Sequence, residues 1–417
     1  MNVELKDICS FQEGYVNPAQ THNEYFDGNI KWIRATDING TYIYNTSRTL
    51  TEEGFNSAGK SAKLFEPNTL IISKSGTIGK LGILKDYMCG NRAVINIKPD
   101  LSRVTLMYLY YSIKLKLDYI KGLARGSVQK NLYIFMLEKV KIYLPDVEIQ
   151  KKMIKYLEDV DKKIELNNKI NNNLQELINN IFISKFVNYY GYTGEYETTE
   201  IGDIPSNWKV DNLGNVISFS NGYGWNSKDM LENNQPDTYK VFKMGNIKIG
   251  GGINKEKTRS WILKEKCSGL EQFLSKKGDI LMCMTDMKSS ENPLLGHTAL
   301  IDCDDEFVIN QRVGIIRCDK DIRWPYIYTM TNLPFFINNI RSKAHSGVQV
   351  NLTTSGICDT KVLIPDKYSL EEFYKNVTPM YEEMFILNNE IEKLSELRDT
   401  LLPKLMNGEI DLDNIEI

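Results

Sequence analysis

Leu5-Lys-Asp-Ile-Cys-Ser-Phe-Gln-Glu-Gly14 returns as Leu213-Gly-Asn-Val-Ile-Ser-Phe-Ser-Asn-Gly222, an offset of 208. Working outward, Val128-Gln-Lys-Asn-Leu132 returns as Val348-Gln-Val-Asn-Leu352, and Leu144-Pro-Asp146 as Ile364-Pro-Asp366, both offset by 220. Leu166-Asn-Asn-Lys-Ile170 returns as Leu387-Asn-Asn-Glu-Ile391, offset by 221. Four landmarks in one order at nearly constant spacing mark a tandem duplication, so the fold question becomes that of one unit built twice.

Each copy changes texture along its length. Its first part holds short β-branched and aromatic runs between Gly, Asn and Pro, such as Thr69–Ser73, Ala93–Ile97 and Arg312–Arg317, which read as strands. A helical segment is expected around Thr105–Ile120 and again around Pro325–Ile340. The second part of each copy reads as one long helix. In the later copy Phe373, Val377, Met380, Met384, Leu387, Ile391, Leu394, Leu401 and Leu405 alternate 4- and 3-residue spacings, broken only by Arg398. Ser369-Leu-Glu-Glu372 fits a capping box at its start. In the earlier copy Met153, Leu157, Val160, Ile164, Leu174, Ile178 and Ile181 keep the seam, with Asn167 and Asn171 interrupting it.

Helices of roughly 40 residues span about 60 Å, longer than the groove of a small domain, so each seam is expected to pair with the other helix. The globular parts lie at the same end of each helix, which an antiparallel pair would place at opposite ends. The expected class is therefore α+β: two tandem strand-rich domains, 1–146 and 188–366, with helices over 147–187 and 367–417 pairing as an antiparallel coiled coil. A helix packed only on its own domain is the plainer alternative.

Of the 417 residues, 42% are hydrophobic and 25% charged, the balance of a soluble globular protein. The opening residues carry no apolar run long enough for a signal peptide, and no stretch approaches the ~18 apolar residues of a membrane span. A cytoplasmic protein is expected. Cys9, Cys89, Cys267, Cys283, Cys303, Cys318 and Cys358 include no C-x-x-C pair, and His22, His297 and His345 are far apart in sequence. That pattern suits reduced, mostly buried thiols rather than a zinc site. The net charge of −3 is unevenly spread: +5 over 1–146, +1 over 147–190, −2 over 191–366 and −7 over 367–417. A phosphate-binding surface would lie on the globular parts, while the acidic last helix faces protein.

Three motifs together resemble a known family. Ile164-Glu-Leu-Asn-Asn-Lys-Ile-Asn-Asn-Asn-Leu-Gln-Glu-Leu-Ile-Asn-Asn-Ile-Phe182 resembles the central helix of type I restriction–modification specificity subunits. Leu401-Leu-Pro-Lys-Leu-Met-Asn-Gly-Glu-Ile410 resembles their C-terminal ending, and Ile201-Gly-Asp-Ile-Pro-Ser-Asn-Trp-Lys-Val210 the opening of their second target-recognition domain. The resemblance implies a chain that binds double-stranded DNA, joins two methyltransferase subunits and, for cleavage, restriction subunits. Each target-recognition domain would read half of a split target while the helices set the gap. No cofactor is expected in this chain; S-adenosylmethionine, and ATP with Mg for cleavage, would belong to the partners.

Candidate DNA contacts fall in a few places. Lys74-Ser-Gly-Thr-Ile-Gly-Lys80 is a basic turn after a strand: Lys74 and Lys80 could neutralise phosphate while Ser75 and Thr77 donate hydrogen bonds. An exposed hairpin turn is the alternative, and P-loop spacing is missing. Arg125, Ser127, Gln129 and Lys130 lie in one repeated loop, and His345, Ser346 and Gln349 in its partner. Glutamine can pair with adenine and arginine with guanine, yet Gln129 and Gln349 recur in both copies, which favours phosphate or structural roles. Asn91-Arg92 and Gln311-Arg312 stand in comparable places before strands, as DNA contacts or surface ion pairs. Lys31 and Arg34 in the first domain, and Lys243, Lys257 and Lys288 in the second, are candidates by charge and position.

Catalysis in this chain is not expected. A self-contained methyltransferase would need a Pro-Pro-aromatic loop, and no Pro-Pro occurs; Phe219-Ser-Asn-Gly-Tyr-Gly224 is one residue off a cofactor loop. A nuclease reading of Pro145-Asp146 with Asp161-Lys-Lys163 is loose, and Asp146 suits a helix N-cap better. A two-headed coiled-coil scaffold without a DNA role is the reading from another class. Specificity is expected in the stretches that do not align between copies, roughly 15–65 and 223–300.

Overall fold

The computed structural model describes residues 2–126, 130–287, 293–318, 322–346, 349–406 and 409. They fall into two compact units, Met1–Leu166 with Glu390–Ile417, and Asn167–Asn389. Both long helices pass from one unit into the other.

In the first unit the strands Cys9–Glu13, Val94–Pro99, Leu70–Ser73, Leu81–Leu84 and Tyr42–Ile43 lie side by side in that order. The second unit repeats the order with Ile217–Asn221, Val313–Cys318, Ile280–Cys283 and Thr298–Leu300. Register repeats as well, since Phe11 stands opposite Ile97 and Phe219 opposite Ile316. The central strand of each sheet is buried on both faces, which is why Leu-Ile-Ile-Ser and Ile-Leu-Met-Cys read as continuous apolar runs. Successive side chains point to opposite faces. Leu70 and Ile72 therefore join the core beneath the helices, and Ile71 joins Ile33, Phe65 and Leu84 on the other side. Ile280 and Met282 part from Leu281 and Cys283 in the same way.

A smaller sheet packs on that second face. It pairs Phe26–Ile33 with Met88–Gly90 in parallel in the first unit, and Thr238–Phe242 with Phe307–Ile309 in parallel in the second. Ile33 and Phe242 are thus equivalent, so the repeat reaches into stretches that do not align by sequence. The glycine that ends the first landmark is explained here. A Cβ on Gly14 would sit 2.1 Å from the Asn91 carbonyl oxygen, and one on Gly222 2.4 Å from that of Asn310.

Each expected single helix is two. Leu106–Leu115 and Leu117–Leu123 meet at Lys116, and Trp324–Thr331 is separated from Pro334–Ser342 because Leu333, preceding proline, adopts an extended conformation.

The long helices span Val147–Phe182 and Lys367–Met406. A π-helical turn, Ile183–Val187, continues the first. The second begins ahead of the expected capping box: Asp366 is the cap, its Oδ1 accepting from Ser369 N at 2.8 Å. Trp208 of the Ile201–Val210 motif donates its indole N–H to Asp366 Oδ2 at 2.6 Å, and Asn207 donates at 3.0 Å. Burial opposes the Asp366 charge, but hydrogen bonds from Ser369, Trp208 and Asn207 outweigh it and hold the carboxyl below its ordinary range.

The helices run antiparallel wherever they meet. In the first unit Asp161 pairs with Arg398 at 3.0 Å and Lys163 with Glu390 at 3.5 Å. In the second, Asn171 Nδ2 donates to Asn388 Oδ1 at 2.9 Å and Lys185 pairs with Glu372. Two of the three breaks in the heptad seam, Arg398 and Asn171, meet a partner on the other helix. Arg398 faces Asp161, which also accepts from the Tyr111 hydroxyl at 2.6 Å, and Asn167 and Asn171 are buried. Asp161 is thus committed to structure, which removes it from a nuclease reading.

Two consequences are measurable. Arg398→Ala leaves a carboxylate only 13% exposed without its guanidinium and should destabilise the full chain by roughly 3 kcal/mol in chemical denaturation. The pair Arg398→Leu with Asp161→Asn, which keeps an acceptor for Tyr111, should recover more than half of that loss. In the second unit His297 is 6% exposed, and its Nδ1 accepts from Gly250 N at 3.2 Å. Burial, helped by Arg341, pushes its pKa down to about 4. The unfolded chain takes up this proton near pH ~6.5 and the folded chain does so only near 4. Stability from the neutral ring is therefore present above about pH 6.5 and lost as pH falls toward 4. Thermal melts across that window should show His297→Gln less sensitive to acid than the wild type.

Candidate nucleic-acid interface

Three chain segments meet at one end of the central strand in each unit. In the first, Lys74 N donates to Ala93 O at 2.8 Å while Lys74 O accepts from Leu132 N at 2.9 Å. One residue thereby ties together the 74–80 turn, the 91–93 turn and the loop that closes at Arg125 and Asn131. That loop is closed by paired backbone bonds of 3.0 and 2.8 Å between Arg125 and Asn131. A fourth segment joins where Asn91 N donates to Ile33 O at 3.1 Å, which places Arg34 beside the turn.

The second unit builds the same frame. Met284 takes the place of Lys74, donating to Arg312 O at 3.2 Å and accepting from Leu352 N at 2.9 Å. His345 pairs with Asn351, and Asn310 N donates to Phe242 O at 3.0 Å. The hairpin connection differs, spanning 284–297 here against 74–80 in the first unit. Arg341 holds it by donating to Leu295 O at 2.9 Å and Pro293 O at 2.8 Å.

The 74–80 turn is rigid. Gly76 and Gly79 adopt φ of 70° and 86°, and Ser73 Oγ donates to Thr77 O and accepts from Lys80 N at 2.8 Å. Thr77 is exposed, Ser75 and Lys80 partly so. Lys74 is mostly enclosed and pairs with Glu13 at 2.9 Å. Arg92, Arg125 and Lys130 are exposed around this turn, as are Gln311 and Arg312 in the second unit. Among the described residues no ion pair engages Arg92, Arg125, Lys130 or Arg312. Ser127, Gln129 and Lys288 lie outside the described residues, as do the side chains of His345, Ser346 and Gln349; the backbones of the last three run in the strands His345–Ser346 and Gln349–Asn351.

The structure shifts one sequence alignment. Asn91 Oδ1 accepts from Ala93 N at 3.0 Å, and Asn310 Oδ1 accepts from Arg312 N at 3.3 Å. Asn91 thus matches Asn310 rather than Gln311, its carboxamide oxygen is committed to a turn, and Arg92 matches Gln311. The arginines of the two units stand one residue apart on otherwise equivalent turns.

Among the isolated candidates, Lys31 is held by Asp86 at 2.6 Å and by the Tyr44 carbonyl at 2.7 Å. Arg34 and Lys243 prove equivalent: Arg34 N donates to Asp37 Oδ2 and Lys243 N to Asn246 Oδ1, each at 2.9 Å. The Arg34 guanidinium reaches Ser47 Oγ at 2.6 Å, and the Lys243 ammonium reaches Ser260 Oγ at 2.7 Å. At this offset of 209 Lys31 and Ile38 recur as Lys240 and Ile247, and a basic residue is followed three positions later by Asp or Asn, signals too sparse to align the two stretches by sequence. Lys257 is exposed and apart from the frame.

Asp302, Cys303 and Glu306 also come together, but the Cys303 thiol donates to Glu306 at 3.1 Å and Lys240 pairs with Glu306 at 2.7 Å. Cys303 and Glu306 are thus engaged internally, while Asp302 Oδ1 has no hydrogen-bond partner among the described residues. No helix among the described residues is long and apolar enough to cross a membrane.

Comparison with known proteins agrees with this architecture. Residues 1–176 match the family model described as the type I restriction modification DNA specificity domain. The specificity subunit of the type I restriction enzyme MjaIX from Methanocaldococcus jannaschii is 26% identical, over 99% of this chain and 94% of its own length. That of the HindI enzyme from Haemophilus influenzae is 22% identical, over 78% of this chain and 82% of its own. The crystal structure of the type I S subunit from M. genitalium shares the fold, with a TM-score of 0.54 at 17% identity over 97% of this chain and 96% of that one. With the duplicated sheet order, the paired helices and relatives matched along nearly its whole length, the chain is similar in sequence and fold to type I restriction–modification specificity subunits.

Proposed function

We propose that this chain supplies sequence recognition to a type I methyltransferase and endonuclease, each unit holding one half of a split duplex target. The observation that carries this reading is the frame built twice around Lys74 and Met284. It presents exposed Arg92, Arg125 and Lys130 in one unit and Gln311 and Arg312 in the other, and among the described residues no ion pair engages these cations. Rigid turns bearing free guanidinium groups suit phosphate contact and bidentate contact with guanine. Thr77, Ser75 and Lys80 extend the cationic edge, while Arg34 and Lys243, already bonded to serine hydroxyls, position the turns beside them. Ser127, Gln129, Lys288, His345, Ser346 and Gln349 stay candidates on their place in the sequence. Methyl transfer and cleavage, with S-adenosylmethionine and ATP with Mg, belong on partner subunits docked along the helix pair.

Binding of the full chain to duplex DNA should weaken steeply with salt, because released counterions dominate affinity. Arg92→Ala and Arg312→Ala should each weaken binding to all sequences alike and lower the slope of log affinity against log salt by about 1. A wild-type chain indifferent to both sequence and salt would return the protein to the scaffold reading. The continuous helices also suggest a spacer role: deleting one turn, about four residues, from the first should change the gap between methylated half-sites. Methylome sequencing of cells expressing the complex reads that gap directly, and an unchanged value defeats the spacer role.

A further inference from the structure

Where the chain leaves the 125–131 loop, the two units differ in a way their common backbone does not require. Tyr133 precedes the short helix Ile134–Leu137, and Thr353 precedes its counterpart Thr354–Cys358. Both positions follow residues anchored to the frame, Leu132 to Lys74 O and Leu352 to Met284 O. In the second unit the position does structural work. Thr353 Oγ1 accepts from Gly356 N at 3.0 Å and lies 3.3 Å from Ser355 Oγ. In the first unit Tyr133 supplies no side-chain cap, and Phe135 occupies the place of Ser355.

The two rings stack on one another, with centroids 5.9 Å apart and planes at 17°, yet they remain 42% and 51% exposed. Replacing a capping hydroxyl costs helix stability, and half-exposed rings recover little of it by burial. A local rule broken without a gain to the fold marks a contact made elsewhere. The surroundings identify its kind. Exposed Arg125 and Lys130 precede the rings in the chain, and the 74–80 turn is bonded to the residue just before Tyr133. An apolar, flat pair set beside exposed cations fits a ligand that is anionic outside and apolar between its charges, which describes the phosphates, sugars and base edges of duplex DNA.

We propose that Tyr133 and Phe135 make an apolar contact with the deoxyribose and base-edge surface of the half-site held by the first unit, a contact the second unit lacks. This rests on the DNA-reading role proposed above. The ring contact contributes specificity without counterion release, so it acts independently of salt.

The test uses the full-length chain and the variant Y133T/F135S, which installs the residues the second unit carries on the same backbone and restores a cap. Its melting temperature should equal or exceed that of the wild type. Duplexes enriched by the wild type from a randomised library serve as the probe, titrated across a salt series. The variant should bind them about tenfold more weakly, with the salt slope unchanged. Half of the motif that it enriches in turn should lose definition while the other half persists. Equal affinity at every salt overturns the inference, as does a weakening that comes with a lower salt slope, which would mean that the cations were displaced. Loss of co-purifying methyltransferase with DNA affinity intact also overturns it, assigning the rings to a protein partner. A wild-type chain that enriches no sequence overturns the DNA-reading role itself, a result distinct from the other three.

Discussion

The candidate interface depends on the amide and carbonyl of one residue at the end of each central strand. Lys74 in the first unit and Met284 in the second stand just past the end of that strand; they bond the turn before the neighbouring strand and the loop that follows the two short helices. Three loops distant in sequence are thereby held at hydrogen-bond distance from a strand buried on both faces. A surface that reads another molecule needs side chains whose positions are settled before contact, since ordering them on binding would oppose it. Here the backbone settles them, and the side chain at the anchoring residue is free to differ between units.

Burial and exposure are divided accordingly. The sheet sends alternate side chains into two cores, one with the helices and one with the smaller sheet, and the turns at its end carry exposed charge. Lys31, Lys74 and Asp161 show the other outcome: each looked available by charge and each has an internal partner. Arg92, Arg125 and Arg312 stand on turns whose backbone needs are met locally, and among the described residues no ion pair engages their guanidinium groups.

The polar breaks in the helical seam follow the same logic. Arg398 with Asp161 is costly to bury singly and acceptable as a pair, and buried Asn171 reaches Asn388 at the exposed side of the seam. A polar layer inside a helix pair disfavours other registers, because sliding would leave each group without its partner. The Asn-rich stretch that weakened the seam in sequence therefore supplies its register.

Duplication, the two long helices and several strands, Leu70–Ser73 among them, were legible in the sequence, because periodicity constrains residue type directly. The match of Arg34 to Lys243, the alignment of Asn91 with Asn310 and the contrast of Tyr133 with Thr353 were not. Each depends on which backbone groups meet across intervals of dozens of residues, and a backbone hydrogen bond leaves no mark on residue identity. The sequence by itself determined that one unit is built twice and joined by paired helices. Only the tertiary structure decided which cations are spent on internal partners and which stand free, because that depends on neighbours brought together by folding rather than by the order of the chain.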